Sequence, residues 1–160
     1  MNTKIKEKAE HTFKNHLSLL SSGKIVEWVD LFTDNGILEF PYATKGYPEK
    51  VEGKKDLYGY MKNFPEHLQV VFTNLYFHPT ANPNLVIAEF ESDGIALSTR
   101  KPYMQKYISV VTTDNEGKIE KYVDFWNPVI FMESMNTNDN EENLSKVFLS
   151  SEKPSPRNDR

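Results

Sequence analysis

The sequence predicts an α+β fold, with helices laid on one face of an antiparallel sheet. Two observations carry this. Apolar residues recur every three or four positions over the first third of the chain, and every two positions after Pro65. Clear turn signals separate the later runs, so helices come first and strands follow, the order expected of a segregated α+β domain.

The elements follow in chain order. Over residues 3–21, Ile5, Ala9, Phe13, Leu17 and Leu20 make one apolar stripe, and Gly23 supplies a stop. Ile25, Trp28, Val29 and Phe32 share a face in a second, short helix. Thr33-Asp34-Asn35-Gly36 reads as a turn, and Ile37, Leu38 and Phe40 as a short strand ended by Pro41. Residues 42–53, with Gly46, Pro48 and Gly53, read as an irregular loop. A third helix is expected from about Lys54 to Phe64, with Leu57, Tyr60, Met61 and Phe64 on its buried side and Pro65 as its end.

Strands are expected over residues 68–77, 85–91, 103–113 and 119–126. The stretches HPTANPN and DNEG are turns, and residues 92–102, with Gly94 and Pro102, suggest a long or bulged hairpin. The piece VIFMESM after Pro128 suggests a further helix. The domain is thus expected over residues 1–135. A polar tail occupies 136–160, with one short helix over 136–149 and disorder from about 150. There is no internal repeat.

Composition narrows the function. A chain of 160 residues with 38% hydrophobic and 26% charged residues suits one soluble domain with its own core. A net charge of −4 argues against nucleic acid as a partner, because phosphate binding needs a concentrated basic surface. The chain has no cysteine, which excludes disulfides, thiolate nucleophiles and cysteine zinc sites. His11, His16, His67 and His78 stand at no metal-ligand spacing, so no metal is expected. His11 and His16 are five residues apart, off one face of the first helix. Neither a Gly-rich phosphate loop nor a G-x-S-x-G elbow occurs. The N-terminal stretch has no apolar run like a secretory signal, and no segment approaches the roughly 20 apolar residues of a membrane span. The expected location is the cytoplasm.

The text YVDFWN, Tyr122 to Asn127, places a carboxylate among strand formers, where Asp is depleted. In a strand Tyr122, Asp124 and Trp126 share one face, and Val123, Phe125 and Asn127 the other. Two readings stay open from the residues alone. Either Asp124 faces an apolar interior, where desolvation raises its pKa into the range useful for proton transfer, or it faces solvent and pairs with a lysine such as Lys106. On the preceding strand Tyr103, Gln105, Tyr107 and Ser109 alternate. The opposite face carries Lys106, a poor core residue, so Gln105 and Tyr107 are expected inside. Glu89 and Glu91 share a face with Ile87, and the simple reading puts them outside.

Several stretches together, "FTDNG", "EG-K", "NFP", "NPNLVIAEFESDG", "PYMQKY" and "GKI" leading into "YVDFWNP", resemble the SnoaL-like branch of the NTF2-like superfamily over residues 5–130. The resemblance implies a cone: a curved antiparallel sheet wrapped around three helices, with an apolar pocket that has polar groups at its floor. Homodimers through the convex sheet face are common in that family, which includes isomerases, polyketide cyclases, dehydratases and binding modules. Phenazine-biosynthesis isomerases carry an acid, two apolar residues and Asn in the last strand, which implies a proton-shuttle role for Asp124. Their helix histidine maps to Tyr60 here. The resemblance also implies Glu89 as a further site residue. Trp28, Phe32, Phe40, Tyr42, Tyr60, Met61, Phe64 and Phe72 are the expected apolar lining, though each also serves as ordinary core.

The expectation is a small pocket protein for an apolar, carbonyl-bearing metabolite, working without a cofactor by proton transfer of the isomerase, cyclase or dehydratase type. Asp124 and Tyr60 are the catalytic candidates. Gln105, Tyr107, Trp126, Trp28, Phe40, Tyr42, Met61, Phe72 and Glu89 are the substrate-binding candidates. The competing readings are a non-catalytic binder of small molecules and a dimeric interaction module.

Overall fold

The computed structural model describes residues 2–136. The expected tail helix and disorder over 136–160 therefore lie almost wholly outside the described residues. The elements are α1 (Asn2–Ser21), α2 (Ile25–Val29), β1 (Phe32–Glu39), β2 (Lys50–Glu52), α3 (Lys54–Met61), α4 (Phe64–His67), β3 (Leu68–His78), β4 (Leu85–Ala96), β5 (Lys106–Thr113), β6 (Ile119–Trp126) and α5 (Pro128–Met135).

The strands form one curved, open sheet in the order β2-β1-β6-β5-β4-β3. Every pairing is antiparallel except β1 with β6, which is parallel. This exception has a topological cause. The chain leaves β1 through β2 and the helices, lays down β3 to β5 from the far edge, and returns as β6 alongside β1. The helices cover one face, as expected of this class.

α1 buries Ala9, Phe13, His16, Leu17 and Leu20, a stripe at three- and four-residue spacing. It ends at Gly23, whose φ of 72° is the left-handed conformation that glycine adopts freely. Phe13 is the hub of the core. Its ring meets Phe77 and Phe90 edge-on and lies stacked 6.1 Å from Tyr122. Trp28 and Phe32 are fully buried and pack 4.9 Å apart, closing the core under α2.

The structure corrects several sequence expectations. Thr33–Gly36 is not a turn between elements but a bulge inside β1, where the register against β6 slips between Phe32 and Ile37. Gly36 fits there because a Cβ would stand 2.9 Å from the Phe32 side chain and 3.1 Å from the Ile119 carbonyl. The 42–53 loop contains the edge strand β2. Pro65 does not end α3. α3 stops at Met61, and the proline sits in the first turn of α4, where its missing N–H costs nothing. β4 runs through Gly94 to Ala96, so the hairpin loop is shorter than expected. The next regular strand starts at Lys106, not at 103.

Candidate active site

The helices and the concave sheet face enclose a cavity of about 400 Å³. Its walls are mainly aromatic. Trp28, Phe40, Met61 and Phe72 line it, with Phe90 and Phe131 added by the fold. Phe90 stacks on Tyr107 at 4.7 Å, and Phe40 meets Tyr60 at 5.2 Å, so the walls brace each other.

Polar atoms gather on one side. Tyr122, Asp124 and Trp126 all line the cavity, as one face of β6 must. Asp124 is therefore on the concave face, and the solvent reading with a Lys106 partner does not hold. Ser109 lies directly opposite Asp124 in the β5–β6 ladder, and its hydroxyl donates to Asp124 Oδ1 at 3.3 Å. Burial raises the Asp124 pKa from 3.8 to about 7, with the Ser109 hydrogen bond pulling weakly the other way. A carboxyl group so placed exchanges protons near neutral pH.

A ring of phenols surrounds it. Burial holds the Tyr60 and Tyr103 pKa values at about 12. Burial also raises those of Tyr107 and Tyr122 well above the ordinary value. In each of the four, the charge of Asp124 adds to the effect. They are thus neutral hydrogen-bond donors throughout the neutral range. Tyr107 also bonds Ser92 at 3.1 Å. Tyr47, from the loop between β1 and β2, lines the cavity and packs edge-on against Phe131 of α5. Its hydroxyl is buried and has no hydrogen-bond partner among the described residues.

The sequence reading missed His16. It is the one histidine on the buried stripe of α1, spaced three and four residues from Phe13 and Leu20, and it lines the cavity. Its Nδ1 accepts from the Trp28 indole at 2.8 Å, and its Nε2 lies 3.0 Å from the Tyr122 hydroxyl. Burial lowers its pKa from 6.5 to about 3, so the ring is neutral. The signal was present in the periodicity. It lies in the spacing of His16 from Phe13 and Leu20, not in its spacing from His11. A helix histidine thus stands in this cavity, on α1, alongside Tyr60 of α3.

Three expected site residues lie elsewhere. Gln105 is fully buried, but its amide is used as a strand rung. Nε2 donates to the Asn127 carbonyl at 2.8 Å, and Oε1 accepts from the Asn127 N–H at 3.0 Å. It extends the β5–β6 ladder where β5 has not yet begun, and does not line the cavity. Tyr42 is 57% exposed and packs on Phe125 at the outer face. Glu89 points outward on β4 and bonds His78 at 3.0 Å. The expected lining residue Phe32 is core beneath Trp28.

Among the described residues, no three His, Asp or Glu side chains converge as a metal site, and no helix is long and apolar enough to cross a membrane.

The chain is 42% identical to an uncharacterised PhzA/B-like protein of Pseudomonas aeruginosa, over 79% of this chain and 89% of that one. A solved Bacillus subtilis structure, described provisionally as an isomerase, is 37% identical with a TM-score of 0.79. The match covers 82% of this chain and 95% of that one. A phenazine biosynthesis-related protein of Pseudomonas aeruginosa shares the fold at 17% identity and a TM-score of 0.71, over 87% of each chain. The model of the SnoaL-like domain matches residues 13–122, from the hub phenylalanine of α1 to the tyrosine beside Asp124, and the chain belongs to the SnoaL-like family with its NTF2-like cone fold.

Proposed function

We propose that this protein is a cofactor-independent enzyme that moves a proton on an apolar, carbonyl-bearing small molecule, in a reaction of the isomerase or cyclase type. The observation that carries the reading is a single carboxyl group, Asp124, with a pKa of about 7, set among neutral phenols in an aromatic cavity of about 400 Å³. That volume falls in the range of small-molecule sites.

In this reading the Asp124 carboxylate removes a proton from the carbon next to the carbonyl. The negative charge that develops on the carbonyl oxygen is held by phenolic O–H donors, with Tyr60, Tyr103 and Tyr107 in place to supply them. Asp124, now protonated, returns the proton to another carbon of the conjugated system. Trp28, Phe40, Met61, Phe72 and Trp126 would hold the apolar body. The unpartnered Tyr47 hydroxyl would be satisfied by a second polar group of the ligand.

The test uses a panel of cyclic β,γ- and α,β-unsaturated ketones in D2O, followed by NMR. Deuterium should enter next to the carbonyl with the native protein and not with Asp124→Asn. Equal exchange with both proteins would sink the assignment.

A non-catalytic binder is the second reading. It is favoured by His16, which is held by two hydrogen bonds and does not titrate near neutrality. The link from His16 to Asp124 runs through the Tyr122 and Ser109 hydroxyls, which do not titrate near neutrality. Calorimetric binding of the same ketones without deuterium exchange would select this reading.

We also propose a homodimer through the outer sheet face. Tyr76 and Ile108 are exposed there and line an open hollow together with Tyr42 and Phe125, and Val71 of β3 is exposed as well. Apolar exposure of this kind on a sheet marks an association surface.

A further inference from the structure

A single hydrogen-bonded chain runs from α2 through α1 to the site. Trp28 Nε1 meets His16 Nδ1 at 2.8 Å, His16 Nε2 meets the Tyr122 hydroxyl at 3.0 Å, Tyr122 meets Ser109 at 2.6 Å, and Ser109 meets Asp124 Oδ1 at 3.3 Å. We infer that this chain has one allowed proton order, set by Trp28, and that the order obliges Asp124 to carry its exchangeable proton on Oδ2, the oxygen that Ser109 leaves free. The inference deepens the acid/base assignment of Asp124 and rests on that reading for its catalytic meaning.

The argument is a count of donors. An indole nitrogen only donates, so His16 Nδ1 must accept. A neutral imidazole then carries its one proton on Nε2, which donates to the Tyr122 oxygen. Tyr122 has one proton to place, and the near acceptor is Ser109. Ser109, receiving from Tyr122, sends its own proton to Asp124 Oδ1.

The reverse order fails. If Asp124 held its proton on Oδ1 and donated to Ser109, Ser109 would donate to Tyr122. The Tyr122 oxygen would then receive two protons and its own would have no acceptor. Tyr122 is 1% exposed and Ser109 fully buried, so a stranded hydroxyl there is costly.

The other groups acting on Asp124 are Tyr60 of α3, Tyr103 before β5 and Tyr107 of β5, all uncharged. None supplies a charge that would override the chain. Trp28 and His16 are accordingly positioning residues. They act on the substrate through Asp124, by presenting its proton-carrying oxygen on the side away from Ser109.

Neutron diffraction from a deuterated crystal of the whole protein, held well below pH 7, reads the order directly. Deuterons should lie on His16 Nε2 and Asp124 Oδ2, with the Tyr122 hydroxyl pointing to Ser109 and the Ser109 hydroxyl to Asp124. A deuteron on His16 Nδ1, or an Asp124 carboxyl with its deuteron on Oδ1 or with none, would overturn the inference. As a second measurement, Ser109→Ala should raise the proton affinity of Asp124 about tenfold, because a donor to the carboxylate is lost. An unchanged affinity in a folded variant would count against it. If that variant does not fold, the neutron map of the native protein still decides. Neither measurement uses a substrate. Ketones that fail to exchange would sink the enzyme reading while leaving the proton order standing.

Discussion

Ser109 and Asp124 face each other across the β5–β6 ladder, and the serine hydroxyl is the donor that Asp124 Oδ1 receives. One hydrogen bond is weak support for a carboxylate in an aromatic cavity. Burial prevails, and the Asp124 pKa rises to about 7. The same chain of contacts holds a histidine whose pKa moves the other way, to about 3. The two groups leave opposite marks on stability.

Asp124 keeps its proton in the folded state up to about pH 7, while the unfolded chain releases it near 3.8. Between these values the native state binds more protons, so this group lowers stability as pH rises. His16 does the reverse. The unfolded chain takes up a proton below 6.5 and the folded state does not until about 3, so stability falls as pH drops through that window. From about pH 4 to 6.5 the two slopes oppose each other. Asp124→Asn removes one of them. Relative to the native protein, the variant should lose stability on acidification at about 1.4 kcal/mol per pH unit, and should be the more stable of the two near pH 7. Urea unfolding at several pH values reads this. Parallel pH profiles would contradict it.

The unpartnered Tyr47 hydroxyl makes a different forecast. Tyr47→Phe removes a buried polar atom that has no partner among the described residues, so unfolding should show no loss and a gain of up to about 1 kcal/mol. Affinity for any ketone the cavity binds should fall roughly fivefold or more, because the hydroxyl then loses a bond it makes only to ligand. Calorimetry on both proteins separates the effects. A destabilised variant with unchanged affinity would place the hydroxyl's partner within the protein.

Ile108 lies near the start of β5 on the outer face and is 44% exposed. Ile108→Glu should convert a dimer to a monomer in light scattering, while Asp124 and the core are untouched. A native chain that is already monomeric would refute the proposed interface.

Much of this arrangement was legible in the text. The bounds of β6 and its alternation put Asp124 beside Tyr122 and Trp126, because a two-residue period admits only two faces. Where the reading failed, a non-local cause can be named. Gln105 alternates with Tyr103 and Tyr107, yet its amide is taken up by the backbone of Asn127, 22 residues away. Thr33–Gly36 has the composition of a turn, but parallel pairing with β6 absorbs it as a bulge, and that partner lies at the other end of the chain. Tyr42 follows a proline beside the site, and nothing local says that the chain turns it outward onto Phe125. His16 stands apart, since its place on the α1 stripe was readable from spacing alone.

The central claim is that Asp124 carries a proton in the neutral range. Direct titration of its carboxyl carbon by NMR in the native protein, assigned by its disappearance in Asp124→Asn, tests this most plainly. A pKa near 7 is the expected result. A value near the ordinary 3.8 would contradict the account, since a carboxylate ionised at all neutral pH is a poor proton carrier.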